Sequence, residues 1–135
     1  MNWEVVKSYF WVACGSMMGG MSRFWVSRVV AERVGETFPW GTIVINITGS
    51  FVIGLLWALV QAEGRLGASR PLITQLCIVG ICGGYTTFSS FSLQTLNLLR
   101  EKQWLWAGGN VAISVVACMV AVWLGFILGE TINRL

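Results

Sequence analysis

The sequence predicts an all-α integral membrane protein of four transmembrane helices, with the third helix broken part-way across. Three observations carry this. Of 135 residues, 56% are apolar and 11% charged, well short of the roughly one quarter charged that typical soluble domains carry. The apolar residues fall into four runs, 8–30, 42–61, 72–99 and 106–128, each near or above the roughly 20 residues that a helix needs to cross. The third run contains Gly83-Gly84-Tyr85-Thr86-Thr87-Phe88-Ser89-Ser90-Phe91-Ser92, a glycine pair and a row of hydroxyls where hydrocarbon cannot solvate a peptide group. Irregular backbone at that depth is tolerated mainly where it is buried in protein or lines a cavity, which makes it a candidate site for an ion or a substrate.

The run 8–30 does not read as a secretory signal. It is longer than a signal core of about 7–15 residues, and the rest of the chain is equally apolar; Glu4 also spoils a basic leader. Pro39 and Pro71 precede the second and third runs, where a proline costs little because the first helical N–H groups lack partners. The connecting loops, 31–40, 62–71 and 100–105, leave no room for a soluble domain, so residues 1–135 form one transmembrane domain. Trp3, Trp25, Trp40, Trp57, Trp104, Trp106 and Trp123 fall mostly near the ends of these runs, where an indole suits the headgroup level.

Four crossings put Lys7, Arg65, Arg70 and Arg134 on one side and Arg23, Arg28, Arg33, Arg100 and Lys102 on the other. Orientation follows the lysine and arginine bias of short loops, and four against five is nearly a tie. The chain is therefore expected to insert both ways and to work as an antiparallel, dual-topology homodimer, with a polar site between copies that have little interior of their own. Gly15 and Gly19, Gly80 and Gly84, and Gly125 and Gly129 carry the four-residue spacing that lets helix backbones approach in a bilayer, which favours a tight assembly.

Several chemistries are excluded. Cys14, Cys77, Cys82 and Cys118 are scattered through apolar runs and the chain has no histidine, so zinc and clustered-thiol redox sites are not expected. Glu4, Glu32, Glu36, Glu63, Glu101 and Glu130 sit in loops or at ends. Without a carboxylate mid-membrane there is no group to load and release a proton for coupled export, and no acid–base pair for an enzyme. The small positive charge speaks to membrane orientation and not to nucleic acid.

The runs do contain neutral polarity: Asn46, Thr48 and Ser50 in the second, Thr86 to Ser92 and Gln94 in the third, Asn110 and Ser114 in the fourth. Amide and hydroxyl donors replace part of an anion's hydration without trapping it, which conduction requires. For a single serine or threonine, hydrogen bonding between helices is the commoner role; for Asn46 the two roles are evenly balanced. Phe88 and Phe91, three apart, share a helix face, and the positive edge of an aromatic ring suits an anion. A half-helix beginning after Gly84 would aim its N–H groups inward, while carbonyls freed at the break would suit a cation.

The stretch Gly80-Ile81-Cys82-Gly83-Gly84-Tyr85-Thr86-Thr87-Phe88-Ser89-Ser90-Phe91-Ser92 resembles the signature of the bacterial CrcB/Fluc fluoride channels. Gly41-Thr42 to Asn46 with Gly49-Ser50-Phe51 is similar to their second-helix motif, and Gly19, Gly20 and Arg23 to their first-helix pattern. The resemblance implies a dual-topology homodimer with two fluoride pathways. It also implies a structural, non-permeating Na⁺ held by the backbone carbonyls of Gly83 and Thr86 from both subunits. In the same way Phe88, Phe91, Asn46, Thr87 and Ser114 match pathway positions, and Arg23 lies toward an aqueous vestibule. Gln94 stands where many relatives have glutamate, and Asn110 where many have tyrosine.

The function implied is a passive fluoride-selective channel in a bacterial inner membrane that lets cytoplasmic fluoride out and lowers its toxicity. Two other readings stay open at this level. A small multidrug-type transporter shares the size and the dual orientation but should carry a first-run carboxylate, which is missing between Glu4 and Glu32. A non-transporting membrane assembly subunit would explain the glycines but not a polar break beside two phenylalanines.

Overall fold

The computed structural model describes residues 2–61 and 63–135; Ala62, the first residue of the 62–71 loop expected from sequence, lies outside them. Every regular element among the described residues is helical. The helix α1 runs over Trp3–Val34, opened by Asn2, whose side chain accepts the Glu4 N–H at 3.3 Å, and closed by Gly35 at φ 81. Glycine takes that left-handed conformation at no steric cost. The helix α2, Trp40–Leu59, begins directly after Pro39. A 3₁₀ turn, Gly67–Ser69, leads into α3, Arg70–Ile73, which continues as a π-helical stretch, Thr74–Cys82, and then as α4, Gly83–Tyr85. Two extended residues follow before α5, Phe88–Arg100, and a turn with Lys102 at φ 61 connects it to α6, Trp104–Arg134.

Among the described residues, three helical stretches are long and apolar enough to cross a bilayer: Trp40–Leu59, Gly67–Arg100 and Trp104–Arg134. The four crossings expected from sequence are therefore matched on length and apolarity by three. The remaining helix, α1, has the length at 32 residues, but Arg23 and the interspersed serines and glycines dilute its apolar content.

α1 packs along the rod formed by α3, the π stretch and α4, and α2 packs along α6. Glycines set both contacts. A methyl group on Gly15 would run into the Leu76 carbonyl oxygen and lie 2.8 Å from the Gly80 Cα; one on Gly84 would lie 2.7 Å from the Ser16 carbonyl oxygen. A methyl on Gly54 would strike the Val122 carbonyl oxygen, one on Gly125 the Phe51 carbonyl oxygen, and one on Gly129 would come 2.8 Å from the Leu55 oxygen. The glycine spacing read above as a mark of tight assembly thus brings backbones together within one chain. Where backbones touch, no side chain fits between them, and close packing replaces the hydrophobic drive that lipid does not supply.

The outer surface is apolar. Along α6, Leu105, Trp106, Val116, Met119 and Trp123 are exposed, as are Phe10, Met17 and Phe24 on α1. A contiguous apolar exterior of this extent is that of a chain surrounded by lipid or by a partner.

Candidate functional site

The interruption between α4 and α5 consists of Thr86 at φ −75, ψ 155 and Thr87 at φ −150, ψ 111. Local chemistry explains why the chain leaves the helix here. The Thr86 N–H and its hydroxyl both donate to the Cys82 carbonyl at 2.9 Å, closing the preceding helical segment. The Thr87 hydroxyl accepts the Ser90 N–H at 3.2 Å, capping the N-terminus of α5. The half-helix therefore starts at Phe88, three residues later than a start at Tyr85 directly after Gly84, and its first donors are partly satisfied by Thr87.

Asn46 on α2 holds the interruption in place. Its Oδ1 accepts the Thr87 N–H at 2.8 Å, and its Nδ2 donates to the Thr87 carbonyl at 3.1 Å. Room for the approach comes from Gly49, where a methyl group would strike Thr86 Cγ2 and lie 3.2 Å from Tyr85 Cδ1. The Tyr85 hydroxyl is 3.0 Å from Thr48 Oγ1, so one face of α2 supports the chain on both sides of the break.

These hydrogen bonds leave two carbonyls without their helical donors. In a continuous helix the Thr87 N–H would reach Gly83 and the Ser90 N–H would reach Thr86; here they go to Asn46 Oδ1 and Thr87 Oγ1. Gly83 is exposed, and a methyl group on it would lie 3.9 Å from the Ile78 carbonyl oxygen, an ordinary contact. Uncharged carbonyl oxygens of this kind suit a hard cation, so the two residues fit Na⁺ by their chemistry.

A cavity of about 310 Å³ opens beside the break, lined by Asn46 and Ser50 of α2, Thr86 and Thr87, Phe88 and Phe91 of α5, and Ser114 and Cys118 of α6. No charged side chain lines it. The two phenyl rings lie 5.2 Å apart at 50°. Phe91 is buried at 9% exposure, while Phe88 is 78% exposed on the outside of the single chain.

From Phe91 a chain of polar groups, the half-buried Thr95 and the buried Asn110 and Ser114, leads to α6. Thr95 Oγ1 donates to the Phe91 carbonyl at 2.8 Å, Asn110 Nδ2 donates to Thr95 Oγ1 at 2.8 Å, and Ser114 Oγ donates to Asn110 Oδ1 at 3.4 Å.

Of the residues singled out from sequence, the structure brings Asn46, Thr86, Thr87, Phe88, Phe91 and Ser114 to one cavity. Gln94 is not among them. It lines a separate hollow of about 280 Å³ with Ser27, Glu36 and Thr42, where its buried Oε1 has no hydrogen-bond partner among the described residues. Arg23 is half-buried on α1, away from that cavity. Sequence reasoning missed Thr95. It lies four residues after Phe91, a spacing at which a threonine hydroxyl reaches back to a carbonyl, and that signal was available.

A model of the family described as CrcB-like protein, Camphor Resistance (CrcB), matches residues 10–126. The chain belongs to the CrcB family. Its relatives include a protein named fluoride-specific ion channel FluC from Methylocella silvestris, 53% identical over 129 residues that cover 94% of this chain and 96% of the relative. Proteins of the same name from Rhodospirillum rubrum and Opitutus terrae are 50% and 51% identical, each over 94% of this chain and over 98% and 96% of the relative. With three helices apolar enough to cross, this CrcB protein is a multi-pass membrane protein.

Proposed function

We propose that the protein is a passive fluoride channel that releases cytoplasmic fluoride and thereby lowers its toxicity. One observation carries the reading: a cavity free of charged side chains gathers an amide, hydroxyls and two phenyl rings at a break in an apolar helical stretch, in a CrcB chain whose relatives are named fluoride channels. The chemistry is that of a conductor and not of an enzyme. Neutral donors and ring edges replace part of a small anion's hydration, and the absence of a fixed positive charge lets the ion leave. Hydrogen fluoride is neutral, enters through lipid and ionises inside, so an open path for the anion relieves accumulation without an energy source.

The working unit in this reading is an antiparallel homodimer in a bacterial inner membrane, with α1 as a fourth crossing and the break near mid-membrane. Two features support it. The lysine and arginine residues are nearly balanced between the two sides, and the exposed Phe88 ring points out of the single chain, where a second copy would complete the wall beside it. Na⁺ on the Gly83 and Thr86 carbonyls, contributed by both copies, would join the subunits without moving. Arg23 would sit toward the vestibule and concentrate anions there. Gln94, facing a second polar hollow, would belong to the same route nearer the water.

The test is fluoride release from liposomes carrying the purified protein, read by a fluoride electrode, with chloride release from matched vesicles as the control. Rapid fluoride release with little chloride release is expected. Silence toward both ions from folded protein overturns the reading.

A further inference from the structure

The polar chain behind the cavity has a fixed direction. A carbonyl accepts only, so Thr95 Oγ1 must spend its single hydrogen on the Phe91 oxygen, 2.8 Å away. Thr95 can then only accept from Asn110, which turns the amide nitrogen toward it at 2.8 Å and leaves Asn110 Oδ1 facing Ser114. That oxygen also accepts only, so the Ser114 hydrogen points at Asn110 and its lone pairs face the cavity. A hydroxyl in this state repels an anion.

We propose that Asn110 is a positioning residue that competes with the permeating anion for the Ser114 hydroxyl and so keeps fluoride loosely held beside Phe91. The inference rests on the channel reading above. Asn110 is 1% exposed and never meets the cavity itself, so it acts only through Ser114. When an anion arrives, Ser114 turns its hydrogen toward the ion and Asn110 Oδ1 loses its donor, which opposes binding. The contact is long for a hydroxyl bond, at 3.4 Å, so the opposition is weak and the hydroxyl exchanges readily. That is what conduction needs, since binding must be favourable enough to admit the ion and weak enough to release it.

The experiment measures the fluoride concentration that half-saturates the initial efflux rate from liposomes. Asn110→Leu frees the Ser114 hydrogen, and half-saturation is expected to fall about fivefold, the effect of one weak hydrogen bond. Thr95→Val keeps the volume but removes the acceptor that orients Asn110; the amide can then turn its nitrogen to Ser114, and a shift in the same direction is expected. In the Ser114→Ala background neither substitution should move half-saturation. A shift that persists without Ser114 reduces Asn110 to a packing residue and overturns the proposal, as does an unchanged value in both single variants. If the unsubstituted protein passes no fluoride, the channel reading falls and this inference with it, an outcome distinct from the other two.

Discussion

Asn46 and Thr87 lie 41 residues apart and are joined through both backbone groups of Thr87, at 2.8 and 3.1 Å. A single carboxamide thus replaces the helical acceptor that the Thr87 N–H loses at the break and adds a second donor to the Thr87 carbonyl, which as the cap of α5 already accepts the first bond of that helix. Backbone polar groups away from water must be paired, and Thr87 is buried, so the interruption exists because α2 supplies this one side chain.

Removing that side chain should therefore cost stability before it costs anything else. Asn46→Leu removes the acceptor of the buried Thr87 N–H, at a cost of about 1–3 kcal/mol, and chemical unfolding in detergent should show a loss of about 2 kcal/mol. Asn46→Asp keeps an acceptor for the Thr87 N–H but sets a carboxylate oxygen against the Thr87 carbonyl and places negative charge in the cavity. Fluoride efflux is expected to stop. Normal efflux with Asn46→Asp would confine Asn46 to a supporting role.

The two phenylalanines should separate in the same pair of assays. Phe91 is buried beside Thr95 and the cavity, so Phe91→Ala should destabilise by about 3 kcal/mol as well as lower flux. Phe88 is exposed on the single chain, so Phe88→Ile should leave the stability of the fold within about 0.5 kcal/mol while reducing fluoride efflux. If efflux survives Phe88→Ile, its ring edge takes no part in conduction.

Much of this architecture was legible in the sequence, and the reasons differ by feature. The apolar runs located α2, the broken rod and α6 because hydrocarbon imposes length and apolarity directly. The break itself was legible as a glycine pair with hydroxyls, but its position was not. Glycine permits many conformations, and nothing local says that Gly83 and Gly84 stay helical while Thr86 and Thr87 leave. That choice is made by Asn46 and Gly49, on another helix. The partners of Asn110 were hidden for the same reason, since a buried amide does not announce which hydroxyl it meets. The first helix went the other way: its length was plain, and its glycines and Arg23 carry it below the apolarity of the other three.

The glycine contacts predict a contrast between positions that look alike in sequence. Gly15→Ala and Gly84→Ala force backbone apart from backbone, where the chain has no flexible neighbour to yield, and a lowered melting temperature is expected from a cost of about 1–3 kcal/mol. Gly108 and Gly109, also within a helix, have no atom within 4 Å of an added methyl. Gly108→Ala should gain up to about 1 kcal/mol from helix propensity. A loss at Gly108 comparable to that at Gly15 would mean that a second copy covers this face of α6.

The Gly83 and Thr86 carbonyls give the cation prediction its form. Substitution cannot remove a backbone oxygen, so the ion is the variable. A cation that binds only the folded assembly stabilises it by about 2.7 kcal/mol at 100 times its dissociation constant. Exchanging Na⁺ for N-methylglucamine should therefore lower the melting temperature and weaken dimers, and returning Na⁺ should restore both. The direction of the Thr87 N–H supplies a control that a nonspecific salt effect would not pass. With Asn46→Leu this donor is free to return to the Gly83 oxygen, four residues back, and the Na⁺-dependent shift should shrink. If Asn46→Leu keeps the full Na⁺ response, the cation is held elsewhere and the freed carbonyls at the break are not its ligands.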